Sequence, residues 1–278
     1  MTFENTALLT DQYELTMVAA ALRQPIAHRS CVFEVFARRL PDGRRYGVVA
    51  GTGRVIDELA HFRFGDEEIA IVEKFLDAET VAWLRDYRFS GDIDGYREGE
   101  LYFPGSPILT VRAGFAEGVL LETLILSILN HDSAIASAAA RMVSAAGTRP
   151  IIEMGSRRTH ERAAVASSRA AYIAGVAATS NLEAARRYGV PSAGTAAHAF
   201  TLAFTGPGGP DEKAAFAAQI DALGVGTTLL VDTYDITAGV RNAIEVGGTG
   251  LGAVRIDSGD LGVLARQAVS YTHLRAHE

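Results

Sequence analysis

Pro150-Ile-Ile-Glu-Met-Gly155, Ala174-Gly-Val-Ala-Ala-Thr-Ser180 and Ser192-Ala-Gly-Thr-Ala-Ala-His198 repeat one design. Each is a short run of apolar or small residues that ends in groups able to carry charge or hydrogen-bond. A helix-like stretch through Tyr172 separates the first two, and Leu182 to Tyr188 separates the second from the third. Thr228-Leu-Leu-Val-Asp232 and Ala253-Val-Arg-Ile-Asp257 continue the pattern. Strand alternating with helix predicts parallel pairing through right-handed crossovers. Polar residues gathered at the C-terminal strand ends fit a (β/α) barrel, whose active sites occupy that rim. An open doubly wound sheet also binds ligands at strand ends, so the pattern alone leaves both architectures open. The runs visible here are fewer than a closed barrel needs.

Upstream, the rhythm is mixed. Leu8 to Leu22 has helical spacing after a Thr10-Asp11 start signal, and Cys31 to Ala37 alternates like a strand up to the turn at Leu40-Pro41-Asp42-Gly43. Asp66 to Tyr87 reads as helical, and Gly91 to Val111 as short strands broken by glycine and proline. Glu117 to Val143 predicts a long bridging helix with a bend or break near Asn130-His131-Asp132. The expected division is an N-terminal α/β domain with its bridging helix over 1–130, a partial (β/α) barrel over 131–269 and a tail over 270–278. That tail, Ser270-Tyr-Thr-His-Leu-Arg-Ala-His-Glu278, continues no pattern and resembles a translated adapter, so the natural chain is expected to run further.

Composition narrows the function classes. The 278 residues are 48% hydrophobic and 21% charged, as in ordinary globular proteins. A net charge of −7 argues against a broad nucleic-acid surface, although a local anion pocket needs only a few cations. The single cysteine, Cys31, excludes an internal disulfide and reads as an inert thiol in a strand. With no signal peptide and no apolar run near the roughly 18 residues of a membrane span, the expected location is cytoplasmic.

Chemistry concentrates at the strand ends. Gly155-Ser156-Arg157-Arg158 places two guanidinium groups where phosphate or carboxylate can be gripped bidentately, or, more plainly, at a solvated helix start capped by Thr159. Thr179-Ser180-Asn181 offers three small hydrogen-bonding side chains, for which helix capping is the simplest role. His198, beside Gly194-Thr195, can serve as nucleophile or base near pH 7, or sit satisfied in the structure. Asp232, Asp235, Asp257 and Asp260 can hold a hydrated Mg²⁺, bind sugar hydroxyls or cap helices.

Taken in order, these segments resemble the nicotinate phosphoribosyltransferase family from Leu8 to about Gln267. The anchors are Leu8-Leu-Thr-Asp-Gln-Tyr-Glu-Leu15, Phe89-Ser-Gly-Asp92, Leu120-Leu-Glu-Thr-Leu124, Glu153-Met-Gly-Ser-Arg-Arg158, Gly194-Thr-Ala-Ala-His198 and Arg255-Ile-Asp-Ser-Gly-Asp260. The resemblance implies an N-terminal α/β domain followed by an irregular (β/α) barrel, the type II phosphoribosyltransferase arrangement, here incomplete. It implies a homodimer with shared active sites, taking nicotinate, phosphoribosyl pyrophosphate and ATP, with Mg²⁺. By the same resemblance Tyr13 stacks on the pyridine ring of the neighbouring subunit, and Arg157 contacts the pyridine substrate and phosphoribosyl group. Thr195 and Arg255 match nicotinate-site positions, and His198 matches the histidine transiently phosphorylated by ATP. Asp232 and Asp257 match acids near the ribose, pyrophosphate and metal. The implied reaction is attack of the pyridine nitrogen on C1 of the sugar as pyrophosphate leaves.

Ser180 stands where the related nicotinamide enzymes carry an aspartate, which favours the acid over the amide as substrate. Met154 replaces a common phenylalanine, and the family's glycine-rich 5-phosphate loops fall beyond residue 278. The alternatives are a nicotinamide phosphoribosyltransferase, a quinolinate enzyme, or a non-catalytic ligand-binding fragment.

Overall fold

Asp11 stands before helix α1 (Gln12–Leu22), the first regular element among the residues described, 5–274, in the computed structural model. Strands β1 (Ser30–Val35) and β2 (Gly47–Val48) precede helices α2 (Thr52–Leu59), α3 (Asp66–Val72) and α4 (Ala78–Asp86). Next come β3 (Asp92–Gly95), β4 (Leu101–Tyr102), β5 (Leu109–Gly114), α5 (Phe115–Val119) and α6 (Glu122–Ala146). Then β6 (Ile152–Glu153), α7 (Glu161–Ile173), β7 (Ala178–Thr179) and α8 (Leu182–Tyr188) complete the regular structure of a first unit, Met1–Ala193.

In this unit β1, β5 and β3 form an antiparallel sheet in that order, and β2 pairs antiparallel with β4. Leu84, Leu120, Leu121, Leu124 and Leu129 lie in the largest core cluster, each buried to at least 98%. Complete burial of such a side chain contributes about 1.5–3 kcal/mol. Phe62, Phe64 and Tyr87 meet edge to face beside them, and the Tyr87 hydroxyl donates to the Glu117 carbonyl at 3.1 Å.

The bridging helix departs from expectation in two ways. It is interrupted at Leu120 and Leu121, between α5 and α6, and α6 then runs 25 residues without a break. No break occurs near Asn130-His131-Asp132 because the side chains of His131 and Asp132 are paired and Asn130 is exposed to solvent. Asp132 is completely buried, with both carboxylate oxygens 3.0 Å from Arg54 Nη1 and one 2.8 Å from His131 Nδ1. Thus α6 passes straight through residue 130, and the two compact units divide between Ala193 and Gly194.

Parallel pairing appears at each of the runs predicted for it. Ile152 pairs with Ala178 and Glu153 with Thr179, and Thr179 forms a parallel bridge to Ser192. The second unit, Gly194–Glu278, contains α9 (His198–Leu202), the hairpin β8 (Thr205–Gly206) and β9 (Gly209–Pro210), and α10 (Glu212–Leu223). It continues through β10 (Thr228–Leu230), α11 (Ile236–Gly247), β11 (Ala253–Arg255) and α12 (Leu261–Leu274). Strands β10 and β11 are parallel, and Phe216, Leu229, Val231, Val240, Ala243 and Ala268 form the core beside them. Gly239 lets α11 approach the end of β10: a Cβ there would stand 2.2 Å from the Val231 carbonyl oxygen. The fold is therefore mixed α/β, with no closed barrel among the described residues. Of the expected tail, residues 270–274 belong to α12, and 275–278 lie outside the described residues.

Glu14 ties α1 to the start of α6. Fully buried, it accepts the Thr123 amide at 2.9 Å and hydroxyl at 2.8 Å through Oε1, and the Asp11 amide at 3.3 Å through Oε2. Burial pushes its carboxyl above the ordinary value of 4.5, against the bonds from Thr123 and Asp11, and nearby Glu122 adds to the rise. The folded chain therefore holds the Glu14 proton more tightly than the unfolded chain. This contribution to stability falls as pH rises from 4.5 through the raised value. Urea denaturation of Glu14→Gln and wild type across that window should show the variant gaining on wild type with rising pH. A stability difference that stays constant would contradict this role.

Candidate functional site

In the first unit the candidate residues occupy the ends of β6 and β7. Arg157 lies in a 3₁₀ turn, Ser156–Arg158, immediately beyond β6 and exposed to solvent. Helix α7 is capped by His160, whose Nδ1 accepts from the Arg162 amide at 3.3 Å, in place of the expected Thr159. Ser180 follows β7 and is exposed, because the capping of α8 falls to Asn181, whose Oδ1 accepts from the Ala184 amide at 2.9 Å. Ser180 is thereby left available to a ligand. Tyr13, also of this unit, is 49% exposed on α1.

Tyr13 lines a cavity of about 740 Å³ that also presents Asp11, Arg38, Arg39, Arg44 and Asn130. The three arginines were missed in reading the sequence. Their signal was the Arg-Arg pair before the Leu40-Pro41-Asp42-Gly43 turn, which reads equally well as a solvated loop. None of them forms a salt bridge with a carboxylate among the described residues, and Asp11 is the one acid in the lining, so the cavity wall carries an excess of positive charge suited to an anionic ligand.

The second unit brings five predicted residues into one cluster. Asp232, just past β10, has a buried side chain whose Oδ2 accepts the Asp257 amide at 2.8 Å and the Ser258 hydroxyl at 2.7 Å. Its Oδ1 is buried with no hydrogen-bond partner. His198 opens α9, and its Nε2 lies 3.9 Å from Asp232 Oδ1 and 3.7 Å from Asp257 Oδ2. On the other side of the ring, Nδ1 is 3.2 Å from the hydroxyl of Thr233, a contact that sequence reading did not foresee. Arg255 spans the cluster, donating to Thr195 Oγ1 at 3.1 Å and to Asp257 Oδ1 at 2.8 Å. Asp235 and Asp260 take the simpler role: each caps its helix, accepting the Ala238 amide at 2.8 Å and the Val263 amide at 3.1 Å.

This arrangement combines an imidazole, flanking carboxylates and a fixed guanidinium. It can accept a group on nitrogen, hold a cation through oxygen and orient an anion. Among the described residues no group of three His, Cys, Asp or Glu side chains is arranged to hold a metal by itself, and no helix is long and apolar enough to cross a membrane.

Residues 8–130 match the family model described as the nicotinate phosphoribosyltransferase N-terminal domain. The chain is 70% identical over 264 residues to nicotinate phosphoribosyltransferase pncB1 of Mycobacterium tuberculosis, covering 94% of this chain and 59% of the relative. It is 36% identical over 274 residues to the nicotinate phosphoribosyltransferase of Bacillus subtilis, covering 95% of this chain and 55% of that protein. The crystal structure of human nicotinic acid phosphoribosyltransferase superposes with a TM-score of 0.83 at 28% identity, over 96% of this chain and 65% of that one. The chain thus spans between about half and two thirds of the length of these relatives.

The two hydrogen bonds that the Asp257–Ser258 segment donates to Asp232 should be measurable in isolation. A hydrogen bond to a charged acceptor contributes about 1.5–3 kcal/mol. Asp232→Ala should therefore speed amide exchange at Asp257 by about tenfold or more while Leu229, inside β10, keeps its protection. Unchanged exchange at Asp257 would show that the bond does not order this loop.

Proposed function

We propose that this chain belongs to the nicotinate phosphoribosyltransferase family and carries the pyridine-binding and phosphoryl-accepting residues of an enzyme joining nicotinate to phosphoribosyl pyrophosphate. The observation that carries the reading is the setting of His198, held between the Thr233 hydroxyl and the carboxylates of Asp232 and Asp257. A histidine so placed suits phosphoryl transfer: an imidazole nitrogen attacks the terminal phosphorus of ATP and ADP leaves. Water later releases the phosphate and restores the ring. The hydrolysis drives the synthetic reaction toward product.

In that reaction the pyridine nitrogen attacks C1 of the ribose as the bond to pyrophosphate breaks. The protein contributes mainly positioning and charge. Arg157 pairs with the nicotinate carboxylate and the phosphoribosyl group. Ser180 donates to the same carboxylate, where an aspartate would repel it. Thr195 and Arg255 orient the pyridine acid, and Arg38, Arg39 and Arg44 offer charge for phosphate oxygens. Tyr13 stacks on the pyridine of a neighbouring copy, which makes the assembly a homodimer. The parallel strand runs form part of an irregular (β/α) barrel of the type II phosphoribosyltransferases. The location is cytoplasmic.

Mg²⁺ fits the oxygen donors present. Asp232 Oδ1 is buried without a partner, and Asp257 offers a second carboxylate beside it. Magnesium enzymes commonly use one or two carboxylates with substrate oxygens completing the shell. The ion supplies charge neutralisation on the departing pyrophosphate, while the residues' own part is to hold that charge beside His198.

The test is a radiolabelled nicotinate assay with phosphoribosyl pyrophosphate, Mg²⁺ and ATP. It is run on this chain and on the chain extended by the C-terminal remainder of its 70% identical relative. Nicotinate mononucleotide from either chain supports the reading; none from either, with both folded, favours a binding-only role. In the chain that turns over, His198→Ala should abolish stimulation by ATP. Ser180→Asp should move the kcat/KM preference from nicotinate toward nicotinamide by about tenfold, the effect of about 1.4 kcal/mol. ATP stimulation surviving His198→Ala, or an unmoved preference, refutes the corresponding role.

A further inference from the structure

One carboxylate ties together the strand ends that carry Arg157 and Ser180. Glu153 closes β6, and its oxygens are taken up by different segments of the first unit. Oε2 accepts the Ser168 hydroxyl of α7 at 2.7 Å and the Thr179 hydroxyl of β7 at 2.8 Å. Oε1 accepts the Gly155 amide, and the main-chain oxygen accepts the Ser180 amide at 2.9 Å. The two hydroxyls lie 3.0 Å apart, both on buried residues. Thr179 Oγ1 also accepts the Asn181 amide at 3.0 Å, and Asn181 Nδ2 reaches the Ser156 hydroxyl at 3.0 Å, next to Arg157. The bonds thus close a ring: Glu153, Thr179, Asn181, Ser156 and back through Gly155.

Local structure does not require this ring. The turn at Arg157 has its own bond, from the Arg158 amide to the Gly155 carbonyl at 2.8 Å, and α7 and α8 have their own caps. What the ring adds is a fixed spacing between the two strand ends. Gly155 belongs to the same device, since a Cβ there would stand 2.7 Å from Glu153 Oε1 and push the carboxylate off its donors. A carboxylate is the suitable hub because it only accepts, and the surrounding Gly155 amide and two hydroxyls can all donate.

We infer that Glu153 is a positioning residue: through the Gly155 amide and the Ser168–Thr179 hydroxyl pair it sets the separation of Arg157 and Ser180, and so the grip on a pyridine carboxylate. The inference rests on the proposed function for the identity of the ligand, while the mechanical coupling stands on the hydrogen bonds alone.

Coupling between amides that a substitution does not touch directly is its signature. Amide exchange by NMR is measured on wild type, Glu153→Ala, Thr179→Val and Thr179→Ser. Glu153→Ala should speed exchange at Asn181 by about tenfold, and Thr179→Val should do so at Gly155, as expected for hydrogen bonds worth about 1–1.5 kcal/mol. Thr179→Ser keeps the hydroxyl and should leave both amides protected, and Leu124 to Leu129 in α6 should be unaffected throughout. In whichever chain turns over, Glu153→Ala and Thr179→Val should raise KM for nicotinate about tenfold with kcat within about twofold of wild type, and Thr179→Ser should restore it. Unchanged exchange at Asn181 in Glu153→Ala overturns the inference, as does an acceleration that extends equally through α6. Loosened amides with an unmoved KM overturn the positioning role. If neither chain forms product, the proposed function fails and the exchange data alone decide the coupling.

Discussion

Asp232 accepts the backbone amide of Asp257 across the β10–β11 pair, and the candidate cluster of the second unit depends on that bond. It fixes the loop that carries Asp257 and Ser258, and through Asp257 it fixes Arg255 and the surroundings of His198. The first unit uses the same device repeatedly. Glu14 takes the amide of Thr123, Glu98 takes that of Gly51 at 2.6 Å, and Glu153 takes that of Gly155. In the first two cases a carboxylate on one segment satisfies a backbone donor at the end of another, and Glu153 does so for the turn that follows its own strand. Helix and strand ends leave such donors without internal partners, and an unpaired buried donor is costly.

The device has an electrostatic consequence. A carboxylate removed from water must be repaid by hydrogen bonds or by a cation. Glu98 is repaid fully: burial alone would raise its carboxyl, but two bonds from Arg169, at 2.7 Å each, and the backbone bonds hold it below the ordinary range. Glu14 has no such cation, and burial leaves it raised. Asp232 is repaid on one oxygen only. Its other oxygen, 3.9 Å from His198 Nε2, has no hydrogen-bond partner.

Much of this was legible in the residues. The run-and-polar-end rhythm from Pro150 to Asp257 marked each place where parallel pairing occurs, since buried parallel strands read as short apolar runs. Asp11 and Asp260 are legible as helix starts, and Thr195, His198, Asp232, Arg255 and Asp257 stand out by their places at or beside the ends of apolar runs. Other features were hidden for physical reasons. The mid-helix Asn130-His131-Asp132 suggested a break because the ion pair that neutralises Asp132 comes from Arg54, 78 residues away. His160 displaced Thr159 as a cap because the 3₁₀ turn at Arg157 shifts the start of α7. Arg38, Arg39 and Arg44 looked like loop surface, and only the tertiary cavity beside Tyr13 gathers them. Glu153 appeared as a residue of an apolar strand, with nothing local to reveal the hydroxyls of Ser168 and Thr179 converging on it.

The central claim is that these strand ends recognise a pyridine carboxylic acid. The most direct measurement is the map of amide chemical-shift changes as nicotinate is added to this chain, with nicotinamide as the control. The account predicts changes centred on Gly155 to Arg158 and on Ser180, saturable with nicotinate and much weaker with nicotinamide. Equal responses to the two ligands, or changes confined to residues remote from β6 and β7, would contradict it.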